Sequence, residues 1–161
     1  MLAARPLLLL DVDGVLSPFA AAGCPPGYKE YPFFPDEDPV WLCLDHGAWL
    51  RQMAEYFDLV WATGWGIEAN RHIAPVLGLG QLPVVEFPAT PFHPREKVPA
   101  IDAYAADRPA LWIDDAHTPE GREWATNRRE PTMLVDVDPA IGLTRDHVDR
   151  ALRWARARTD R

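Results

Sequence analysis

Leu7-Leu8-Leu9-Leu10-Asp11-Val12-Asp13-Gly14-Val15-Leu16 is the stretch that decides how this chain reads. Four leucines run without polar alternation, which suits a strand buried on both faces in a parallel sheet flanked by helices. The run ends in two carboxylates and a glycine. They fall at the carboxyl end of the strand, where open α/β sheets place ligands. Acids at i and i+2 of a strand point to the same side while the pleat persists. A turn at Gly14 lets both face one pocket. Taken alone, the stretch is equally a strand followed by an acidic glycine turn.

Working outward, four further apolar runs read as strands: residues 58–63, 82–87, 110–114 and 132–136, with the first spanning 6–11. Helical patterning separates most of them, near 47–56, 67–77, 99–106, from Thr118-Pro119 onward, and over 144–156. Thr118 followed by proline is a helix-start signal. Val148, Ala151, Leu152 and Ala155 fall on one face of the last helix. Strands alternating with helices predict an α/β fold with a mostly parallel sheet, in a single domain over 1–161. Residues 17–45 break the alternation with Pro18, Pro25, Pro26, Pro32, Pro35 and Pro39 among several aromatics. Proline at this density disfavours a long helix or a central strand. We expect an ordered flap that leaves directly after the two carboxylates and folds over their pocket.

Composition bounds the function. In 161 residues the apolar fraction is 48%, enough for a sizeable core, and the net charge is −8. That balance speaks against a general nucleic-acid binder, which carries a basic footprint. One local exception is the stretch from Ala140, with six arginines against three aspartates, most simply a solvated helix face. Cys24 and Cys43 have no metal-ligand spacing and read as reduced thiols. Arg5 before a leucine run resembles a signal peptide, but the run is short and ends in acids. No segment has transmembrane length. The expectation is a soluble cytoplasmic protein with no membrane partner.

Three more pieces end at the same predicted sheet edge. The second strand closes in Trp61-Ala62-Thr63-Gly64-Trp65-Gly66 before a helix, so a hydroxyl and glycine amides stand at a helix start, an anion-binding arrangement. Lys97 precedes the fourth strand. That strand ends in Ile113-Asp114-Asp115. Four acids converging in one crevice repel unless positive charge sits among them. A lysine and a divalent cation are the natural solution, and hard oxygen ligands favour Mg²⁺ over zinc. Each piece also has a plain structural reading: Thr63 as a helix cap, Asp114-Asp115 as an acidic turn, Trp65 as core packing. His93 and His117 lie near these loops, where surface histidines are commonplace, and Arg95 is a second cation close to Lys97.

The order DxDGVL, Thr-Gly, Lys, Asp-Asp resembles the haloacid dehalogenase (HAD) superfamily of phosphohydrolases, from Leu7 to about the last helix. The resemblance implies a Rossmann-like five-stranded parallel sheet of order 5-4-1-2-3 and a Mg²⁺-dependent phosphatase. It assigns Asp11 as the nucleophile that forms an aspartyl-phosphate. Asp13 becomes the general acid and then base, its backbone carbonyl also on the metal. Thr63 and Gly64 hold the phosphoryl oxygens, and Lys97 neutralises charge. Asp114 and Asp115 hold Mg²⁺, Asp115 being favoured as the direct ligand. An acid at position 13 marks phosphoryl transfer rather than dehalogenation. With only the flap and residues 88–95 at the usual cap positions, the chain resembles minimally capped members. The resemblance associates small caps with macromolecular substrates, or with oligomers whose neighbouring subunit closes the site. The expected partner is a phosphorylated substrate, a small molecule or a macromolecular end. Two alternatives stand beside this: a nucleic-acid 3′-phosphatase, which needs a basic groove bordered by the C-terminal arginines, and a non-catalytic binding domain that kept the fold. Asp11, Asp13 and the metal acids are all retained, which speaks against the last.

Overall fold

The computed structural model describes residues 4–159. Four parallel strands form its main sheet: β1 (Leu7–Leu10), β4 (Asp58–Trp61), β5 (Ala110–Asp114) and β6 (Thr132–Asp136), in the order β4-β1-β5-β6. β1 pairs with β4 on one side and β5 on the other, Leu10 lying between Trp61 and Ile113. Its central position is why its sequence lacks alternation: all four leucines are buried. Leu8 and Leu10 pack on the face covered by α1 (Asp45–Met53), α2 (Ala74–Leu77) and α5 (Arg145–Thr159). Leu7 and Leu9 pack on the face covered by α3 (Lys97–Ala105) and α4 (Pro119–Asn127), with Ile101, Trp112 and Trp124. Each such leucine contributes about 1.5–3 kcal/mol through burial.

The fifth expected strand is a correction. Residues 82–87 add only a single parallel bridge, Val84 to Trp61, so the five-stranded order 5-4-1-2-3 is not formed as a sheet. The cause is local. The segment holds Pro83, which has no N–H to donate. Just before it, the Asn70 side chain takes both backbone groups of Leu82, accepting from its N–H at 2.9 Å and donating to its carbonyl at 2.8 Å. Asn70 Oδ1 also accepts from Trp61 Nε1 at 2.8 Å, so one buried amide replaces a stretch of ladder. It reaches there from a π turn, Ala69–Ile73, where an uninterrupted helix was expected. α2 then ends at Gly78, whose φ of +68° suits glycine.

The flap is ordered, and it carries a hairpin that the proline content concealed. β2 (Lys29–Tyr31) pairs antiparallel with β3 (Val40–Leu42) as a separate two-stranded sheet. Pro32, Pro35 and Pro39 fall in the connection between the strands, not in either strand. Tyr28 anchors the hairpin base edge-on against His46, and Phe33 and Phe34 pack on Trp65 and His72. The remaining helices fall close to expectation. Thr118 caps α4 by accepting from the Gly121 N–H at 3.2 Å, with Pro119 in the first turn. Among the described residues no helix is long and apolar enough to cross a membrane. Cys24 and Cys43 are free thiols. Arg161, counted in the basic C-terminal stretch, lies outside the described residues.

Candidate active site

The carboxyl ends of β1 and β5 are neighbours in the sheet, and this adjacency builds the site. Asp11 follows β1, Asp114 ends β5, and Asp115 follows it. Carboxylate oxygens of Asp11, Asp114 and Asp115 all lie within 4.8 Å of one another. Lys97, the first residue of α3, reaches into the same place and is buried. Its Nζ donates to Asp114 Oδ2 at 2.7 Å and to Asp11 Oδ2 at 3.3 Å. Pro99 sits in the first turn of that helix, where a missing N–H costs nothing. Lys97 also lies over the Phe87 ring at 5.5 Å.

Local backbone bonds fix each carboxylate. The Val12 N–H donates to Asp11 Oδ1 at 2.8 Å, and the Ala116 N–H donates to Asp114 Oδ1 at 2.9 Å. After Asp11 the chain folds tightly, with the N–H groups of Val15, Leu16 and Ser17 all donating to the Val12 carbonyl. Gly14 turns this loop at φ +80°, and a Cβ there would sit 2.3 Å from the Asp115 carboxyl carbon. Only a glycine lets the Asp115 carboxylate lie against the loop. Asp13 is exposed at the mouth, where its Oδ2 accepts from Trp65 Nε1 at 3.2 Å.

The electrostatics are those of an incomplete cluster. Burial and the Asp114 charge hold the Asp11 carboxyl well above its ordinary range, with Lys97 opposing. Burial and Asp114 push Asp115 up to about 6. Burial raises Asp13 as well, against the Trp65 hydrogen bond and Lys97. Burial alone would lower the Lys97 ammonium, but Asp11 and Asp114 outweigh it and the net shift is upward. One cation therefore serves four carboxylates. Three hard oxygen donors, from Asp11, Asp114 and Asp115, lie within reach of one another and form a donor set that a hard divalent cation fits.

Asp11, Asp13, Gly64, Lys97, Asp114 and Asp115 line one open cleft of about 290 Å³. Thr63 lies buried, and its Oγ1 accepts from the Trp65 N–H at 3.2 Å. The histidines stand apart. His93 caps the short 3₁₀ turn before α3, its Nδ1 accepting from the Arg95 N–H at 3.1 Å. His117 Nε2 donates to the carbonyls of Trp112 and Val135, and its ring packs edge-on against Trp112. The sequence reading missed Phe19, Thr90, Pro91 and Phe92 as further walls of the cleft. Their signal was position alone: Phe19 in the flap, the others in the short loop over 88–95.

Two of the C-terminal arginines, Arg156 and Arg158, are elsewhere. Trp154 stacks at 6.0 Å on Phe57, next to the residue that opens β4, and Arg156 lies over Tyr56 at 5.6 Å. That part of α5 lies at the amino end of the strands, across the sheet from the cleft. It does not border Asp11.

The family described as the HAD domain in Swiss Army Knife RNA repair proteins matches residues 7–148. A solved structure of a hypothetical protein from Xanthomonas campestris is similar in fold, with a TM-score of 0.53 at 15% identity, covering 94% of this chain and 83% of that one. No curated protein matches the chain in sequence.

Proposed function

The chain belongs to the haloacid dehalogenase superfamily, and from that premise we propose that it is a Mg²⁺-dependent phosphomonoesterase working through Asp11. The observation that carries this reading is the Lys97 ammonium held between Asp11 and Asp114 beside a third carboxylate. Asp11, Asp114 and Asp115, with the Asp13 carbonyl, would hold the cation. Bound there, Mg²⁺ supplies charge neutralisation that lets an anionic carboxylate meet an anionic phosphate.

The chain's own residues then divide the work. Asp11 attacks phosphorus, and the bond to the leaving oxygen breaks. Asp13, whose raised pKa favours keeping a proton, delivers that proton to the leaving oxygen. Deprotonated, Asp13 accepts a proton from the water that attacks the aspartyl-phosphate. Inorganic phosphate leaves and Asp11 is restored. The Gly64 amide and Lys97 bind the phosphoryl oxygens. Buried Thr63 orients that turn through its bond to the Trp65 N–H.

A narrower reading, a phosphatase for RNA ends, is favoured by the description of the matched family. The chain's net charge of −8 argues that any RNA is held near its end rather than along a basic groove. The test is hydrolysis of an aryl phosphate with Mg²⁺, with EDTA, and by Asp11→Asn. Turnover that needs Mg²⁺ and disappears in the variant supports the reading. Metal-independent turnover, or full activity in Asp11→Asn, overturns it.

A further inference from the structure

We propose that Phe19 and Phe92 form a stacking slot for the nucleobase of the group that carries the scissile phosphate. The inference rests on the phosphomonoesterase reading of the same cleft and names its substrate class: a phosphate ester on a nucleoside.

Both aromatics line the cleft that holds Asp11 and Asp13, and they come from separate segments. Phe19 is carried by the turn after the first carboxylates and leaves 57% of its surface in solvent. It stands on the turn beside the proton donor, where it borders both the catalytic cleft and a neighbouring hollow. Its backbone is nonetheless fixed, the Phe19 N–H donating to the Ser17 carbonyl at 2.8 Å and the Ala20 N–H to the Pro139 carbonyl at 3.2 Å. Phe92 is half-buried and leans on Phe87 at 5.7 Å, the ring that Lys97 also covers. Phe92 is therefore tied to the catalytic lysine through one intervening ring.

The far side of Phe19 decides the chemistry. It opens on a second hollow of about 260 Å³ that contains Trp41, Pro39, Glu30 and Asp38. Glu30 and Asp38 are exposed carboxylates, and Glu30 accepts from Trp41 Nε1 at 3.3 Å. A second phosphate is repelled there. A neutral planar base, able to donate amino hydrogens to carboxylates, is accepted. A simple sugar phosphate would leave both aromatics unused.

The experiment compares adenosine 3′-monophosphate with the analogue in which hydrogen replaces the base. Wild-type protein is set against Phe19→Ala, Phe92→Ala and Phe19→Tyr, all with Mg²⁺. Stacking on one aromatic predicts that the preference for the base falls about 5- to 100-fold in each alanine variant. The loss should appear mainly in KM for the nucleotide, and Phe19→Tyr should restore the preference. A wild-type preference near one, or a preference unchanged in both alanine variants, overturns the slot. Calorimetric binding of the same two compounds to Asp11→Asn separates the two readings. Base-dependent, Phe19-dependent binding without wild-type turnover keeps the slot and removes the phosphatase reading. Turnover of both compounds with equal binding removes the slot alone.

Discussion

The two ends of the same sheet treat charge in opposite ways. At the amino end, Asp58 is met by two guanidiniums, Arg5 at 3.2 Å and Arg108 at 2.5 Å, and all three side chains reach solvent. Arg5 also donates to the carbonyls of Ala54 and Phe57, and Arg51 to those of Leu77 and Gly78. The hollow there is larger, about 460 Å³, yet each of its cations already holds a carboxylate or carbonyl partner. At the carboxyl end, the Lys97 ammonium faces Asp11 and Asp114 with Asp115 beside them, and most of the charge is buried. One end closes its electrostatics for stability. The other leaves a negative excess that a cation and a phosphate would complete, so size of cavity is a poor guide to function here.

Breaking the carboxyl end should have the largest effects. Asp11→Asn removes the nucleophile and should lower kcat by at least about 10³-fold, read by steady-state hydrolysis. Asp13→Asn should cost about 10²- to 10⁴-fold, the range of a lost general acid–base. It should also accumulate phosphoenzyme if the second step suffers more, which quenched-flow mass spectrometry would detect. Lys97→Met leaves Asp11 and Asp114 buried without their partner. A destabilisation of about 3–5 kcal/mol is expected in urea unfolding of the metal-free protein, partly reversed by Mg²⁺.

Sharpening the comparison calls for gentler changes. Asp115→Asn relieves repulsion, so the metal-free variant should melt about 2–4 °C above wild type, the response to ~1 kcal/mol in a chain of this size. Its gain from added Mg²⁺ should shrink. The folded pKa of Asp115, about 6, lies above the ordinary 3.8. The folded state therefore takes up this proton first, and the group's penalty is full above pH 6 and fades as pH falls toward 4. Melting curves at pH 8 and pH 5 should show a larger advantage of Asp115→Asn at the higher value. The smallest effect belongs to the other end: Asp58→Asn should change stability by no more than about 1 kcal/mol and leave turnover untouched.

Much of this was legible in the chain, for physical reasons. Leu7–Leu10 announced a central strand because burial on both faces suppresses alternation. Asp11 and Asp114 were placed together by strand adjacency, and Gly14 by the turn a second carboxylate needs. What escaped was set by single side chains acting at a distance. No periodicity reveals that Asn70 would occupy the backbone of Leu82 and leave residues 82–87 with one bridge. Proline counting over 17–45 hid the hairpin, because the prolines crowd the connection and spare both strands. Phe19 and Phe92 lie 73 positions apart in sequence, and only the folded chain brings them to one cleft.

The most direct test of the central claim is an acid-quench measurement. Protein is mixed with an aryl phosphate and Mg²⁺, quenched in acid within milliseconds, digested and weighed peptide by peptide. The account predicts one added phosphoryl group on the peptide containing Asp11, absent with EDTA and absent in Asp11→Asn. Rapid turnover with no phosphorylated peptide, or with the group on another residue, would contradict it.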